Sequence, residues 1–253
     1  MNKELYPMIF KRKSFHIFKE RIKEKISEDE IQDLYNFYEK LEPLFEIKTK
    51  IKIVRKEETT CTRKAEYCIL FFSEKKPGYL QNIGYLGEQM DLYLTSKDIG
   101  SLWFGIAKSK EIYDGLDYVI QIAIAKVDTK TFRKDMYKAK RKSLSDIWQG
   151  DDLGIGDIVR FAPSACNSQP WFVINKEGLL EIYRKSKSGK VGIMPKNASV
   201  YYNQIDIGIF MCFLELCLKD RNITYKRQLF IDSQEYDDLV LNAKYKLWQE
   251  LLA

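Results

Sequence analysis

The sequence is poor in the residues that most catalytic and metal sites need. It has one histidine, His16, and its five cysteines show no paired metal-ligand spacing. A histidine-rich metal site or a histidine-based triad is therefore not expected. We also find no glycine-rich dinucleotide fingerprint. The longest apolar stretch, IFMCFLELCL (209–218), is too short to cross a bilayer and contains Glu215.

The charge and composition of the chain limit the kinds of molecule that we expect it to bind. The net charge of +6 is spread along the chain, with no dense basic arm carrying interleaved aromatics, so we expect neither a nucleic-acid nor a membrane partner. A solvated surface explains this charge, and attraction to a phosphate-bearing small molecule is the alternative. The segment 1–15 lacks an uninterrupted apolar run and a small-residue cleavage site, so we expect no signal peptide. Reduced, mostly buried thiols then indicate a cytoplasmic protein.

Hydrophobic periodicity predicts a mixed α+β protein. Helices are predicted at 27–42, 82–99, 151–162, 203–220 and 234–253, and strands at 50–54, 66–72, 117–127, 170–174, 179–185 and 224–231.

Three short matches, in the same order, indicate an internal repeat. RKSF (12–15) is echoed by RKSL (141–144). The segment 41–54 aligns without a gap on 161–174, and 82–94 aligns on 203–215. We therefore predict two related halves, 1–138 and 139–253, the second ending in a helical tail.

The stretch FAPSACNSQPWFVI (161–174) is the strongest candidate site. It predicts a fixed loop between a helix and a strand, because Pro163 ends the helix and Pro170 begins the strand. Asn167 and Gln169 offer donors and acceptors that suit the edge of a heterocycle. A turn in which Asn and Ser satisfy their own backbone is the alternative. The other half has Leu44 and Ile47 where this loop has Ser164 and Asn167, which favours ligand contact.

A second candidate is KRKSF (11–15), echoed by 139–143. Arginine, lysine and serine together suit a phosphate group. A solvated helix start is the alternative reading of both copies.

These motifs resemble the nitroreductase family of flavoenzymes. APSACNSQPWF (162–172) resembles its P-S-x-x-N-x-Q-P-W element, and RKSFHIF (12–18) its N-terminal arginine element, with His16 in place of the usual second arginine. LTSKDIGSLWFG (94–105) resembles the end of the family's long helix and the loop after it, and KRKSL (140–144) a late basic element. The separation of the first two elements onto different halves resembles single-chain pseudo-dimers of that family.

The resemblance implies a nitroreductase-like fold and an FMN cofactor. Arg12, Lys13 and Ser14 would hold the FMN phosphate, and Arg141 or Lys142 would add a second contact. Flavin contacts from the second half would come from Pro163, Ser164, Asn167 and Gln169. Leu102, Trp103, Phe104 and Gly105 would pass along the ring. No side chain need act as a catalytic acid or base, because the flavin N5 carries the hydride.

The leading functional hypothesis is an oxidoreductase that takes hydride from NADH or NADPH through FMN to a nitroaromatic, quinone or similar small acceptor. A flavin-binding sensor or carrier with little turnover is the alternative, and a two-half protein that has lost flavin is a third. As a fused pseudo-dimer, the chain is expected to function as a monomer.

Overall fold

The computed structural model describes residues 3–19, 21–186, 196–231, 233 and 235–249. The chain divides into two compact units, Met1–Met136 (unit 1) and Tyr137–Ala253 (unit 2). The division falls two residues before the boundary expected from the sequence. Each unit contains helices and a β-sheet, so the fold is α+β.

Unit 1 places a four-stranded antiparallel sheet beside a long buried helix. Its elements are α1 (Met8–Lys11), α2 (Glu28–Tyr38), β1 (Thr49–Arg55), β2 (Tyr67–Ser73), α3 (Tyr79–Ser96), β3 (Ile99–Trp103) and β4 (Asp117–Lys126). Helix α2 begins after Ser27, whose side chain accepts from the Glu30 backbone while Glu30 reaches back to the Ser27 backbone. This capping box satisfies two backbone donors at the helix start.

Unit 2 has a larger sheet and a longer helix. Its elements are β5 (Trp148–Gln149), α4 (Gly156–Val159), β6 (Trp171–Lys176), β7 (Leu179–Lys185), α5 (Lys196–Asp220), β8 (Ile223–Leu229), β9 (Glu235–Tyr236) and β10 (Leu239–Gln249). The sheet order is β5-β6-β7-β10-β8, and β9 pairs with β10. Among the described strands of this sheet, only the β5–β6 pair is parallel. The middle of α5 is buried, which suits its apolar sequence.

The two units share one topology. In unit 1 the chain runs β1, β2, α3, β3, β4, and the sheet order is β1-β2-β4-β3. In unit 2 it runs β6, β7, α5, β8, β10, and the corresponding order is β6-β7-β10-β8. In both units the last strand therefore inserts between the strand before the helix and the strand after it.

Three sequence predictions are wrong. The helical tail predicted at 234–253 is a β-hairpin where it is described, since β9 and β10 cover 235–236 and 239–249; residues 234 and 250–253 lie outside the described residues. Strand β10 forms because β7 and β8 pair with it on either side. The helix predicted at 151–162 shortens to the single turn of α4.

The third correction concerns the segment after the long helix of unit 1. Helix α3 ends at Ser96, and Asp98 takes a left-handed backbone with φ of 58°. The predicted loop that follows is instead strand β3, which pairs with β4. A left-handed residue just past a helix is a common way to turn the chain out of it.

Among the described residues, no helix combines the length and the hydropathy that a membrane span requires. The same part of the chain contains no group of three or more His, Cys, Asp or Glu side chains placed to hold a metal ion.

Candidate functional site

The loop at 164–169 has a strained backbone. Cys166, Asn167 and Gln169 have φ of 50°, 56° and 47°. A left-handed backbone costs most non-glycine residues roughly 1–2 kcal/mol, although asparagine adopts it more readily. Such strain persists only where surrounding contacts hold it, and it clusters at functional sites. Cys166 and Asn167 are exposed, whereas Gln169 is buried.

The basic segment 140–142 holds this loop. Arg141 Nη1 donates to Asn167 Oδ1 at 2.9 Å, and Asn167 Nδ2 donates to the Lys140 carbonyl at 3.2 Å. The Lys142 backbone N–H donates to Gln169 Oε1 at 2.8 Å, and Lys142 Nζ donates to the Gln169 carbonyl at 3.0 Å. Two motifs that are separate in the sequence thus form one cluster in unit 2.

Both basic side chains of this cluster donate to backbone or amide oxygens. Besides Asn167, the Arg141 guanidinium donates to the Phe161 carbonyl at 3.2 Å. Burial, followed by the charge of Lys185, lowers the pKa of Lys142 below its ordinary value, and Asp146 only partly opposes this. A lowered lysine pKa means that the ammonium is incompletely stabilised where it lies. An anionic group beside it would therefore be bound favourably.

Side chains of helix α5 hydrogen-bond to the 164–169 loop and hold it in place. Asp206 Oδ1 accepts the Ala165 backbone N–H at 2.9 Å. The Ser168 hydroxyl lies 3.2 Å from Asp206 Oδ2 and 3.3 Å from Asn203 Oδ1. Burial raises the pKa of Asp206 to about 7, although both hydrogen bonds oppose the shift. Near neutral pH this anchor is therefore part protonated and part ionised.

The other predicted residues of this loop are buried or hydrogen-bond within the loop itself. Ser164 Oγ accepts the Gln169 backbone N–H at 3.0 Å, and Gln169 Nε2 donates to the Asn167 carbonyl at 3.2 Å. Pro163 is buried. Of the predicted loop residues, Asn167 is the one whose side chain is exposed.

The corresponding loop of unit 1 has the same type of anchor without the strain. Asn82 on α3 accepts the backbone N–H groups of Leu44 at 2.8 Å and Phe45 at 3.1 Å. Between residues 43 and 48, all of them described, no residue has a positive φ. Leu44 and Ile47 are buried there. The left-handed residues and the polar groups are thus special to the unit 2 loop.

The arginine element of unit 1 lies in a buried charged cluster. Arg12 is 3% exposed, and its Nε lies 2.6 Å from Asp91 Oδ2 and 3.4 Å from Glu88 Oε1. Burial opposes the Arg12 charge, but Asp91 and Glu88 outweigh it and raise the Arg12 pKa. Burial and the Asp91 charge raise the Glu88 pKa well above its usual range, and the Arg12 charge opposes this. Asp91 lies closer to the guanidinium than Glu88 and forms the shorter ion pair with Arg12.

Lys13 and Ser14 are partly exposed beside this cluster. Lys13 Nζ donates to the Thr131 carbonyl at 2.9 Å and lies 4.8 Å from the centre of the Phe15 ring. Arg12 Nη2 donates to Ser14 Oγ at 3.3 Å. The structure thus brings the three predicted phosphate ligands together, with Arg12 already neutralised by Asp91. Their phosphate role stays a prediction.

The segment predicted to pass along a flavin ring is mostly packed into unit 1. Leu102 and Phe104 are buried, while Trp103 and Gly105 are partly exposed. Trp103 Nε1 donates to Glu88 Oε2 at 3.1 Å, which fixes the indole against α3. The ring contact of these four residues also stays a prediction.

Sequence reasoning missed the groups on the two long helices that hold these motifs. Asp206 and Asn203 lie three residues apart and are both buried on a largely apolar helix, as are Glu88 and Asp91 on α3. Buried polar side chains need partners. Polar residues three positions apart on a largely apolar helix were therefore a signal, already present in the sequence, that the buried face of each helix bonds to a polar segment.

A family model described as "Putative TM nitroreductase" matches residues 4–218. The match spans most of the chain and both units. The chain is thus a nitroreductase-type protein, and this class implies an oxidoreductase activity. Within that class, the chain belongs to the family of this model.

One of the solved structures that match the chain shares its fold. A "putative nitroreductase" from Thermotoga maritima MSB8 matches with a TM-score of 0.60 and 19% identity, over 97% of this chain and 93% of that chain. A "Putative NADH Oxidase" from Clostridium acetobutylicum matches 55% of this chain and 96% of its own, at 14% identity and a TM-score of 0.41. The second likeness is too distant to bear on activity. A comparison with curated proteins finds no significant match.

Proposed function

We propose that the protein is an FMN-dependent oxidoreductase that takes hydride from NADH or NADPH and passes it to a nitroaromatic, quinone or similar small acceptor. Family membership supports the oxidoreductase class. The 164–169 loop carries the proposal for FMN, because three left-handed residues occur in it, Arg141 and Lys142 hydrogen-bond to it, and the 43–48 loop of unit 1 has no left-handed residue.

The donor set of unit 2 fits a flavin. The exposed amide of Asn167 offers both a donor and an acceptor, which suits the alternating carbonyl and N–H groups of the pyrimidine edge. Arg141 donates to that amide, and Lys142 Nζ donates to the Gln169 carbonyl. Positive charge placed there would stabilise an anionic group of the cofactor, either its phosphate or its reduced ring.

For Arg12 we propose a structural role in unit 1 and not phosphate binding. Because Asp91 neutralises its guanidinium in a buried position, Arg12 is better suited to fixing the start of unit 1 than to supplying net charge to a phosphate. Lys13 and Ser14, which are partly exposed, remain our proposed phosphate ligands in unit 1. When bound, the flavin supplies the hydride chemistry at N5. The chain's residues bind and orient it and set its electrostatic surroundings.

We also propose that the two units derive from one ancestral unit and that a single flavin site survives. The shared strand order supports this, as does the anchoring of both loops by an asparagine of the long helix, Asn82 in unit 1 and Asn203 in unit 2. The loop of unit 1 has lost the polar set, since Leu44 and Ile47 are buried in it.

Cofactor stoichiometry tests this proposal. The purified full chain is saturated with FMN, freed of excess cofactor by gel filtration, and denatured with acid. Chromatography of the released flavin then gives the FMN content per chain. We expect about one FMN. Two per chain would contradict the loss of one site, and none after reconstitution would contradict the FMN proposal itself.

A further inference from the structure

A cavity of about 420 Å³ in unit 1 is lined by residues of two segments, 18–21 and 56–64. The lining residues are Phe18, Arg21, Lys56, Thr62 and Lys64. The volume lies within the roughly 300–1,000 Å³ that is typical of small-molecule sites. None of these residues is among the predicted FMN contacts, so the proposed function does not assign a ligand to this cavity.

The lining of the cavity is positively charged. Among the described residues that line it, three are cationic and none is acidic. Glu57, whose side chain is 66% exposed, pairs with Lys56 Nζ at 3.1 Å and offsets one of the charges. The lining and Glu57 together thus carry a net charge of about +2, which complements the roughly −1.5 to −2 of a phosphate monoester near neutral pH.

The other carboxylates between β1 and β2 accept hydrogen bonds from the backbone. Glu58 Oε1 accepts the Arg55 backbone N–H at 2.8 Å, and Glu66 Oε1 accepts the Ile26 backbone N–H at 2.9 Å. Among the described residues, neither Arg21 nor Lys64 forms an ion pair with a carboxylate. Both are exposed, so their charges are accessible to an anion from solution.

The backbone that places these cations has two left-handed residues. Phe18 and Lys64 have φ of 50° and 41°, and a positive φ is rare for a bulky residue. Phe18 is 2% exposed and stacks on Phe15, with ring centres 6.0 Å apart, which fixes the first turn. Arg21 Nη1 lies 3.5 Å from the Lys64 carbonyl, so the two turns meet. Strained residues of this kind cluster at ligand sites.

We propose that this cavity binds a phosphorylated small molecule through its phosphate group, with Arg21, Lys56 and Lys64 as the cationic partners. Arginine offers a forked pair of donors to phosphate oxygens, and each lysine offers a compact charge. The Thr62 hydroxyl adds a further donor. Binding here requires neither the flavin nor the 164–169 loop, so the proposal goes beyond the proposed function and can fail independently of it.

Lysine labelling tests the proposal at the cavity itself. The full chain, in a buffer without phosphate, is acetylated in the presence of increasing inorganic phosphate or phenyl phosphate, and mass spectrometry gives the labelling rate of each lysine. Sodium chloride of equal ionic strength is the reference, and the exposed Lys130 is the internal control. We expect labelling of Lys56 and Lys64 to slow about threefold when the phosphate concentration is twice its dissociation constant, and labelling of Lys130 to stay unchanged.

The readout at Lys56 and Lys64 is unaffected by phosphate bound at the proposed flavin site. Phenyl phosphate should protect both lysines at least as well as inorganic phosphate does. Protection by inorganic phosphate alone would mean that the cavity excludes a phosphate ester, and would overturn the proposal. It is also overturned if neither compound slows the labelling of Lys56 and Lys64 more than sodium chloride does, or if Lys130 is protected equally.

Variants test the role of each cation. Arg21→Met should raise the phosphate concentration that gives half protection of Lys56 and Lys64 by about two- to fivefold, the effect expected of one exposed charge. Lys64→Met should do the same when protection is measured at Lys56. The matched control Lys130→Met removes the same charge outside the cavity and should keep the wild-type value. A wild-type value in both Arg21→Met and Lys64→Met would overturn the proposed cationic partners.

Discussion

Arg141 Nη1 donates to Asn167 Oδ1 at 2.9 Å, and the same amide donates from Nδ2 to the Lys140 carbonyl at 3.2 Å. Together these bonds fix the orientation of an exposed side chain on a left-handed backbone. A side chain held in this way loses little further entropy when it binds a ligand. The pair therefore presents a preorganised amide, which is what recognition of a flat heterocycle requires.

Asn167→Gly should weaken FMN binding while leaving the fold intact. Glycine accepts the left-handed backbone at this position without strain, so the change removes the amide and its bonds to Arg141 and Lys140 but keeps the backbone conformation. The lost hydrogen bond should cost roughly 1–2 kcal/mol, or about five- to thirtyfold in Kd. Titration of FMN followed by its fluorescence measures this.

Asn222→Gly is the matched control, because Asn222 is also a left-handed asparagine, with φ of 54°, and lies in the turn after α5. Its FMN affinity should equal that of the wild type. Equal affinities for Asn167→Gly and the wild type would mean that the 164–169 loop is a structural turn.

Arg12→Met should destabilise unit 1, because it leaves the carboxylate of Asp91 buried without its cation. Breaking a buried ion pair from one side costs about 3–5 kcal/mol. Urea unfolding measures the loss. The control is Lys11→Met, since Lys11 pairs with Asp98 at a partly exposed position and such pairs contribute at most about 1 kcal/mol.

The same experiment separates two roles of Arg12. If Arg12→Met keeps the wild-type unfolding midpoint but loses FMN, then Arg12 is a phosphate ligand, as the sequence resemblance implies, and our assignment of it to the buried cluster is wrong.

Asp206 should give the protein a characteristic dependence of stability on pH. Its pKa is raised by burial to about 7, against about 3.9 in an unfolded chain. Between these values the folded state holds a proton that the unfolded state has released. Raising the pH across this window therefore lowers the free energy of unfolding, by about 1.4 kcal/mol per pH unit. Below and above this pH window, Asp206 does not make the free energy of unfolding depend on pH.

Asp206→Asn should remove this slope and be more stable than the wild type above pH 7, because asparagine cannot ionise and can still accept from Ala165. Urea midpoints between pH 4.5 and 8.5 measure the difference. The control Asp157→Asn, at an exposed position on α4, should keep the wild-type slope. Parallel curves for Asp206→Asn and the wild type would show that Asp206 does not hold its proton in the folded state.

Elements with strong local signals could be predicted from the sequence. The capping box at Ser27 marks the start of α2, and the strand predicted at 179–185 has the bounds of β7. Strand β10 was missed because it is defined by pairing with β7 and β8, which are distant in the chain. Its leucines, alanine and lysines favour helix locally, and tertiary pairing overrides that preference.

Site residues could be predicted from the sequence only where they lie in a short motif whose residue types indicate a kind of ligand. The sequence separates Arg141 from Asn167 by more than twenty residues, and only the fold of unit 2 brings them into contact. The partners of Arg12 were not predicted, because the sequence places Asp91 and Glu88 on a long helix without showing which segment they contact. The phosphate role assigned to Arg12 from its basic motif stays a prediction.

Anaerobic reduction of the FMN-loaded chain by NADH and by NADPH tests the central claim most directly. The visible absorbance of the bound flavin is followed as each nicotinamide is added without oxygen, and a quinone or nitroaromatic is then supplied. The proposed oxidoreductase predicts that at least one nicotinamide bleaches the flavin and that the acceptor restores its colour. A bound flavin that stays oxidised with both nicotinamides would contradict this account and would indicate a flavin carrier or sensor.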